Sequence, residues 1–370
     1  MRTVYISRLM AVGVAAGLMV IGQAWGAQGK GPVKVFILAG QSNMDGQAAI
    51  RTIDFLGEDP KYGGLLKTFK PDGKNFVTRD DVWVAYRGHH NLQTGLGGGG
   101  KKYIKPGSCI GPEYAFGYYM GEALDNQVLL IKYAPGGQSL YENFRPPSAG
   151  VPEGKKAEDV GNQYRVLVER VHETLANLKT YFPDYDAKAG YEIAGFVWFQ
   201  GFNDMISGDK PVAEYGNNLK CLINDLRKEF KAPDMKVVVG VMGVNGPLDE
   251  TGTMGGCRNQ MRSMNMVPEF KGNVRAIESA PLLHPQVVAL KTAGGLNKDR
   301  DLKKNPITPE EKALLDRATS NKGYHYYGEG RFFILLGKAF SDTMLELMGM
   351  GGKVVEPKLN TFPSPGTPPI

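Results

Sequence analysis

The sequence predicts an α/β protein, a three-layer α/β/α sandwich around a central parallel sheet of about five strands, interrupted by two long insertions. Three observations predict it: short apolar runs without polar alternation, intervening segments with helical apolar spacing, and glycines where the runs end.

The runs 33–39, 127–133, 193–199, 236–241 and 273–278 have the length and near-continuous apolar character of strands covered on both faces. Between them, 114–125, 164–178 and 215–230 carry apolar residues three and four apart, as crossover helices require. A last helix over 330–348 packs back on the sheet. The first insertion, about 48–106, contains the turn Pro71-Asp72-Gly73 and the glycine run 97–100. The second, about 282–321, is polar, and Thr308-Pro309-Glu310-Glu311 reads as a helix start. Insertions of this size at strand ends either wall a substrate cleft or elaborate the surface. There is no internal repeat.

At the start of the chain, Arg2 and Arg8 precede an almost uncharged apolar run, 9–22, which is shorter than the ~20 residues of a membrane span. Ala24 and Gly26 place a cleavage site near Gly26 or Ala27, so 1–26 reads as a secretory signal. That leaves one domain over 27–350 and a proline-rich tail, 351–370, read as disordered. The mature protein is expected to be secreted or periplasmic, with no stable membrane association. Hydrophobic residues at 42% suffice for a large core. The net charge of +6 is spread among acids, without the basic stripe that nucleic-acid binding needs. Cys109, Cys221 and Cys257 show no CxxC spacing and no zinc pattern, and their odd number permits at most one disulfide.

The first strand ends in Gly40-Gln41-Ser42-Asn43-Met44, which puts Ser42 at the carboxyl edge of the sheet, where open α/β folds bind ligands. A serine there can present its hydroxyl to a carbonyl while backbone N–H groups face the oxyanion. A turn or N-cap serine would read the same way in isolation.

The block Ile37-Leu38-Ala39-Gly40-Gln41-Ser42-Asn43-Met44 resembles the first motif of the sialate O-acetylesterase and acetylxylan esterase branch of the SGNH hydrolases, which have a flavodoxin-like fold. The resemblance continues through Ile110-Gly111-Pro112-Glu113, the stretch from Leu130 through Lys132, Gly136 and Gly137 to Leu140, Val197-Trp198-Phe199-Gln200-Gly201-Phe202-Asn203-Asp204, and Tyr324-His325-Tyr326. It implies that Ser42 attacks an acetyl ester of a carbohydrate and that His325 is the general base. It further implies an oxyanion hole from the Ser42 N–H, the backbone around Gly137 and the side-chain amide of Gln200 or Asn203. The reaction implied is metal-independent and needs no cofactor. Gln41, Asn43 and Arg145 lie where they would touch the sugar, and His284 is the rival base.

One departure concerns the acid. The family places Asp three residues before the histidine, and here that position is Lys322. Either a backbone carbonyl near Asn321, or Asn321 itself, orients the imidazole, or an acid from elsewhere reaches it, with Asp204 and Glu278 available and Asp204 taken as the orienting acid. The substrate is expected to be an acetylated polysaccharide or sialic acid. A non-carbohydrate acyl ester and a non-catalytic carbohydrate-binding protein are the competing functions.

Overall fold

A computed structural model describes residues 31–98, 107–244, 246, 250–292, 304 and 306–351. The signal segment 1–26 and, beyond residue 351, the proline-rich tail lie outside the described residues. In chain order the strands are β1 (Val33–Gly40), β2 (Ala48–Ala49), β3 (Arg79–Ala85), β4 (His89–Leu92), β5 (Cys109–Ile110), β6 (Val128–Tyr133), β7 (Tyr191–Phe199), β8 (Lys236–Val241) and β9 (Val274–Glu278).

Seven of them form one sheet in the order β4-β3-β6-β1-β7-β8-β9, parallel except for the β3–β4 hairpin, while β2 and β5 pair separately. The five expected strands are present, and the sheet is wider than expected because the first insertion adds β3 and β4. The apolar run Val82-Trp83-Val84-Ala85 pairs in parallel with β6, and β4 then covers its outer edge. Covering that edge removes a row of unpaired backbone groups.

β1 is central because Val35, Phe36, Ile37, Leu38 and Ala39 are buried on both faces. Removing one such large side chain, as in Phe36→Ala, costs about 3–5 kcal/mol. Alternation along β7 separates the layers. Gly195 and Phe199 face Met344 and Phe340 of the helix Gly330–Leu347, whereas Trp198 faces Tyr215 of the helix Asp209–Glu229 and donates to its hydroxyl at 3.1 Å. Helices Glu113–Ala123 and Asn162–Ala176 match the other expected crossovers. Helix Gly252–Arg262 was not expected, since its glycines weaken the helical signal.

In the second insertion, Thr308 caps the helix Pro309–Ala318 with the reciprocal Thr308–Glu311 capping box that the sequence indicates. All three cysteines are free. Among the described residues no helix is long and apolar enough to cross a membrane. The chain leaves β1 toward β3 and β6 on one side and returns to β7 on the other, so the strand order reverses around the carboxyl end of β1. That reversal opens a crevice above Ser42.

Candidate active site

β1 runs directly into a single helical turn, Ser42–Asp45. A side chain at Gly40 would collide with the Phe199 carbonyl, so only glycine lets β1 and β7 approach closely here. Ser42 is the first residue of the turn, and among the described residues its N–H has no acceptor. Beneath the turn, the Lys132 ammonium donates to the Asp45 carbonyl at 2.8 Å and to Glu113 at 2.8 Å, and Glu113 accepts the Gly111 N–H at 2.9 Å. Lys132 and Glu113 are fully buried, so loss of one partner would strand a charge at a cost of about 3–5 kcal/mol. The sequence blocks around Glu113 and Lys132 thus support the Ser42 turn from below.

His325 lies in the short 3-10 segment Gly323–Gly328. Its Nε2 is 3.0 Å from Ser42 Oγ, and its Nδ1 is 3.1 Å from Asn321 Oδ1. Two left-handed residues, Tyr326 at φ +52° and Tyr327 at φ +56°, make the sharp turn that aims the ring. Such conformations cost roughly 1–2 kcal/mol each in an L-residue. Packing offsets this. Tyr326 is fully buried, stacks on Phe332 with ring centroids 4.1 Å apart, and accepts the Gly243 N–H at 2.9 Å. Asn43 donates to the Tyr324 carbonyl at 3.0 Å, tying the histidine segment to the nucleophile turn. Burial pushes the His325 pKa down to about 4. The imidazole is therefore neutral at neutral pH and able to take a proton.

Neither expected acid reaches His325. Asp204, fully buried, accepts from Leu140 N at 2.9 Å, Tyr141 N at 2.8 Å and Gln200 Nε2 at 2.6 Å. Burial pushes its carboxyl up to about 6, and these donors limit the rise. Asp204 therefore anchors the segment that follows Gly137, and orientation of the imidazole falls to the Asn321 side chain. Glu278 pairs with Arg262. His284 is remote in function as well: it packs edge-on against Phe55, and its backbone N–H meets Glu329 at 3.3 Å.

The oxyanion side has a similar division. A side chain at Gly136 would come 3.9 Å from Ser42 Cβ, which brings this loop against the nucleophile. Gly137 sits at φ +73°, and among the described residues its N–H has no partner. Gln200 is not available to an oxyanion, because its Nε2 is surrounded by Gln41 Oε1 at 3.2 Å, Gln138 O at 2.9 Å and Asp204. Asn203 differs: its Oδ1 accepts from Gln41 Nε2 at 3.0 Å, and among the described residues its own NH2 has no partner.

The residues expected to touch sugar turn inward. Gln41 and Asn43 are buried connectors between Ser42, Asn203 and the histidine segment. Arg145 donates to the carbonyls of Gly150, Tyr141 and Ala149 and pairs with Glu214, so it holds its own loop together. At the rim stands Tyr324, 38% exposed, edge-on to His325 at 4.5 Å between centroids and tilted against Phe202 at 5.9 Å. A larger cavity, about 1000 Å³, lies at the opposite edge of the sheet among Lys34, Tyr191 and Lys236, and none of the residues around Ser42 line it.

Sequence reasoning missed the Tyr326-Tyr327 turn, since nothing in the residue types marks a left-handed aromatic pair. Asn321, four residues before His325, was legible only as a possible orienting group.

Comparison with known proteins places the chain in a family. A probable carbohydrate esterase of Arabidopsis thaliana is 24% identical over 231 residues, covering 59% of this chain and 73% of that relative. The solved structure of an Arabidopsis thaliana protein superposes with a TM-score of 0.50 at 17% identity, over 85% of this chain and 98% of that one. The crystal structure of NanS gives a TM-score of 0.50 at 13% identity, over 87% and 99%. The family model described as carbohydrate esterase, sialic acid-specific acetylesterase, matches residues 32–286. That match covers more than half of the chain, which therefore belongs to the sialic acid-specific acetylesterase family of carbohydrate esterases.

Proposed function

We propose that the protein is an exported serine esterase that removes acetyl groups from carbohydrate through an acetyl-enzyme on Ser42. The observation that carries this reading is the chain of contacts Ser42 Oγ, His325 Nε2, His325 Nδ1 and Asn321 Oδ1, at 3.0 and 3.1 Å. Nucleophile and base within hydrogen-bond reach, with the base itself oriented, is the arrangement of acyl transfer.

In the first half-reaction, Ser42 Oγ attacks the acetyl carbonyl carbon as its proton passes to His325 Nε2. The carbonyl oxygen becomes an oxyanion, met by the unpaired N–H groups of Ser42 and Gly137 and the NH2 of Asn203. Asn321 accepts the Nδ1 hydrogen and keeps the imidazolium in plane. Collapse breaks the bond to the sugar oxygen, which takes the proton from Nε2 and leaves as an alcohol. In the second half, His325 takes a proton from water as that water attacks acetyl-Ser42, and acetate departs with Ser42 Oγ reprotonated. Tyr324 at the rim offers the sugar an aromatic face. Export rests on the signal-like segment 1–26 of the sequence.

The test is acetate release from phenyl acetate and a panel of O-acetylated sugars, by wild type and Ser42→Ala in parallel. Serine catalysis predicts loss of roughly 10⁴–10⁶ in turnover in the variant. Equal release by both proteins would remove Ser42 as nucleophile. Phenyl acetate cleavage with every acetylated sugar refused would favour a non-carbohydrate ester, and sugar binding without release would favour a binding protein.

A further inference from the structure

A second cavity, about 310 Å³, opens at the carboxyl ends of β3 and β6, on the side of the sheet tip next to the oxyanion loop. Its position ties it to the catalytic centre in two ways. β6 continues directly into Gly136-Gly137, and β3 stands two strands from β1, roughly 10 Å at the spacing of a sheet. Asp45, the last residue of the nucleophile turn, accepts from the Tyr86 hydroxyl and from Arg87 at 3.4 Å on the cavity's rim.

The walls are built rather than incidental. Arg87 holds a left-handed conformation, φ +52°, at the tip of the β3–β4 hairpin. A non-glycine residue rarely sits there without compensation, and such strain concentrates at functional positions. The guanidinium is fixed over the Tyr86 ring at 4.9 Å while the side chain remains 54% exposed. Opposite it, Arg170 and Glu173 form an ion pair at 3.2 Å on the helix Asn162–Ala176, presenting donors and acceptors together. His89 and Tyr181 stack face to face, 3.7 Å between centroids and 14° between planes, and Tyr133 forms part of the inner wall. Charges of both signs stand on the rim, so the cavity does not select an anion. Planar hydrogen-bonding groups combined with aromatic surface suit a neutral ring bearing several hydroxyls.

From this geometry we infer that the cavity is a second sugar subsite, which takes a neighbouring residue of the glycan whose acetyl group lies at Ser42. The inference rests on the carbohydrate-esterase reading and adds to it that the enzyme acts on a chain of sugars rather than on a single one.

The experiment compares wild type with Arg87→Gly, which removes the guanidinium and relieves the left-handed strain, and with Glu173→Ala. Initial rates are measured on an O-acetylated trisaccharide, the corresponding acetylated monosaccharide and phenyl acetate. A subsite predicts that the ratio of kcat/KM for trisaccharide to that for monosaccharide falls about tenfold in each variant, the size expected for losing one or two charge-assisted hydrogen bonds. An unchanged ratio would overturn it. Binding of the deacetylated trisaccharide, followed by calorimetry on the intact protein, separates this claim from the esterase reading. Binding that is lost in Arg87→Gly supports the subsite even if no substrate is turned over, and absence of binding to wild type refutes it.

Discussion

Asn321 accepts the Nδ1 hydrogen of His325 at 3.1 Å, the contact an aspartate makes in the usual triad, and its Oδ1 also takes the Lys322 N–H at 2.8 Å. A neutral amide orients the ring but adds no negative charge beside it, and nothing then opposes the burial that lowers the His325 pKa to about 4. Activity requires the neutral imidazole, so the wild-type rate should hold through neutral pH and fall only as pH drops through about 4. Asn321→Asp places a carboxylate beside the ring, raises the imidazole pKa, and should move the acid limb of the kcat/KM profile upward. Asn321→Ala should lower kcat by roughly 10²-fold through misplacement of the ring. A pH–rate profile of the three proteins reads both effects. An acid limb that stays in place in Asn321→Asp would show that Asn321 does not set the environment of His325.

Asp204 acts at one remove from the chemistry. Its carboxylate takes three donors, from Leu140, Tyr141 and Gln200, and so fixes the loop that carries Gly137. Asp204→Asn turns one acceptor oxygen into an NH2 facing another donor. The expected loss is about 1–3 kcal/mol of stability, read by urea unfolding. kcat should fall while the acid limb of the pH profile stays where wild type has it, because His325 keeps Asn321. A shifted limb would instead make Asp204 a partner of the imidazole.

The sheet was legible because buried parallel strands write themselves as unbroken apolar runs, and β1, β6, β7, β8 and β9 stand where the sequence places them. β3 escaped because its apolar core, Val82-Trp83-Val84-Ala85, sits inside a long glycine-containing insertion and finds its pairing partner only in three dimensions. Ser42, His325 and Gly137 were legible through their neighbours in the chain. The exchanged roles of Asp204, Gln200 and Arg145 were not. Each is a polar residue beside the motifs, and only the positions of Leu140, Gln138 and Gly150 reveal that these side chains are consumed inside the protein. Asn321 was legible only as one of several candidate orienting groups. Its reach to Nδ1 depends on the turn closed by the His325 N–H on the Lys322 carbonyl at 3.0 Å, which brings a residue four positions earlier alongside the ring.

Substitutions at Tyr324 would separate sugar recognition from acyl transfer. Its ring stands edge-on to His325 and against Phe202, and it is 38% exposed. If the departing sugar stacks on this face, Tyr324→Ala should raise KM for acetylated sugars by up to about tenfold, given that an aromatic contact contributes ~0.5–1.5 kcal/mol. Ethyl acetate carries neither a sugar nor an aromatic ring to stack on this face, so a change in its kcat/KM reports the lost contact with His325. Tyr324→Phe keeps the face and should restore the sugar KM to near wild type. Steady-state kinetics of the three proteins on both substrates decide the matter: equal losses on sugar ester and ethyl acetate would assign Tyr324 to holding the imidazole, whereas a loss confined to the sugar ester places the carbohydrate on its ring.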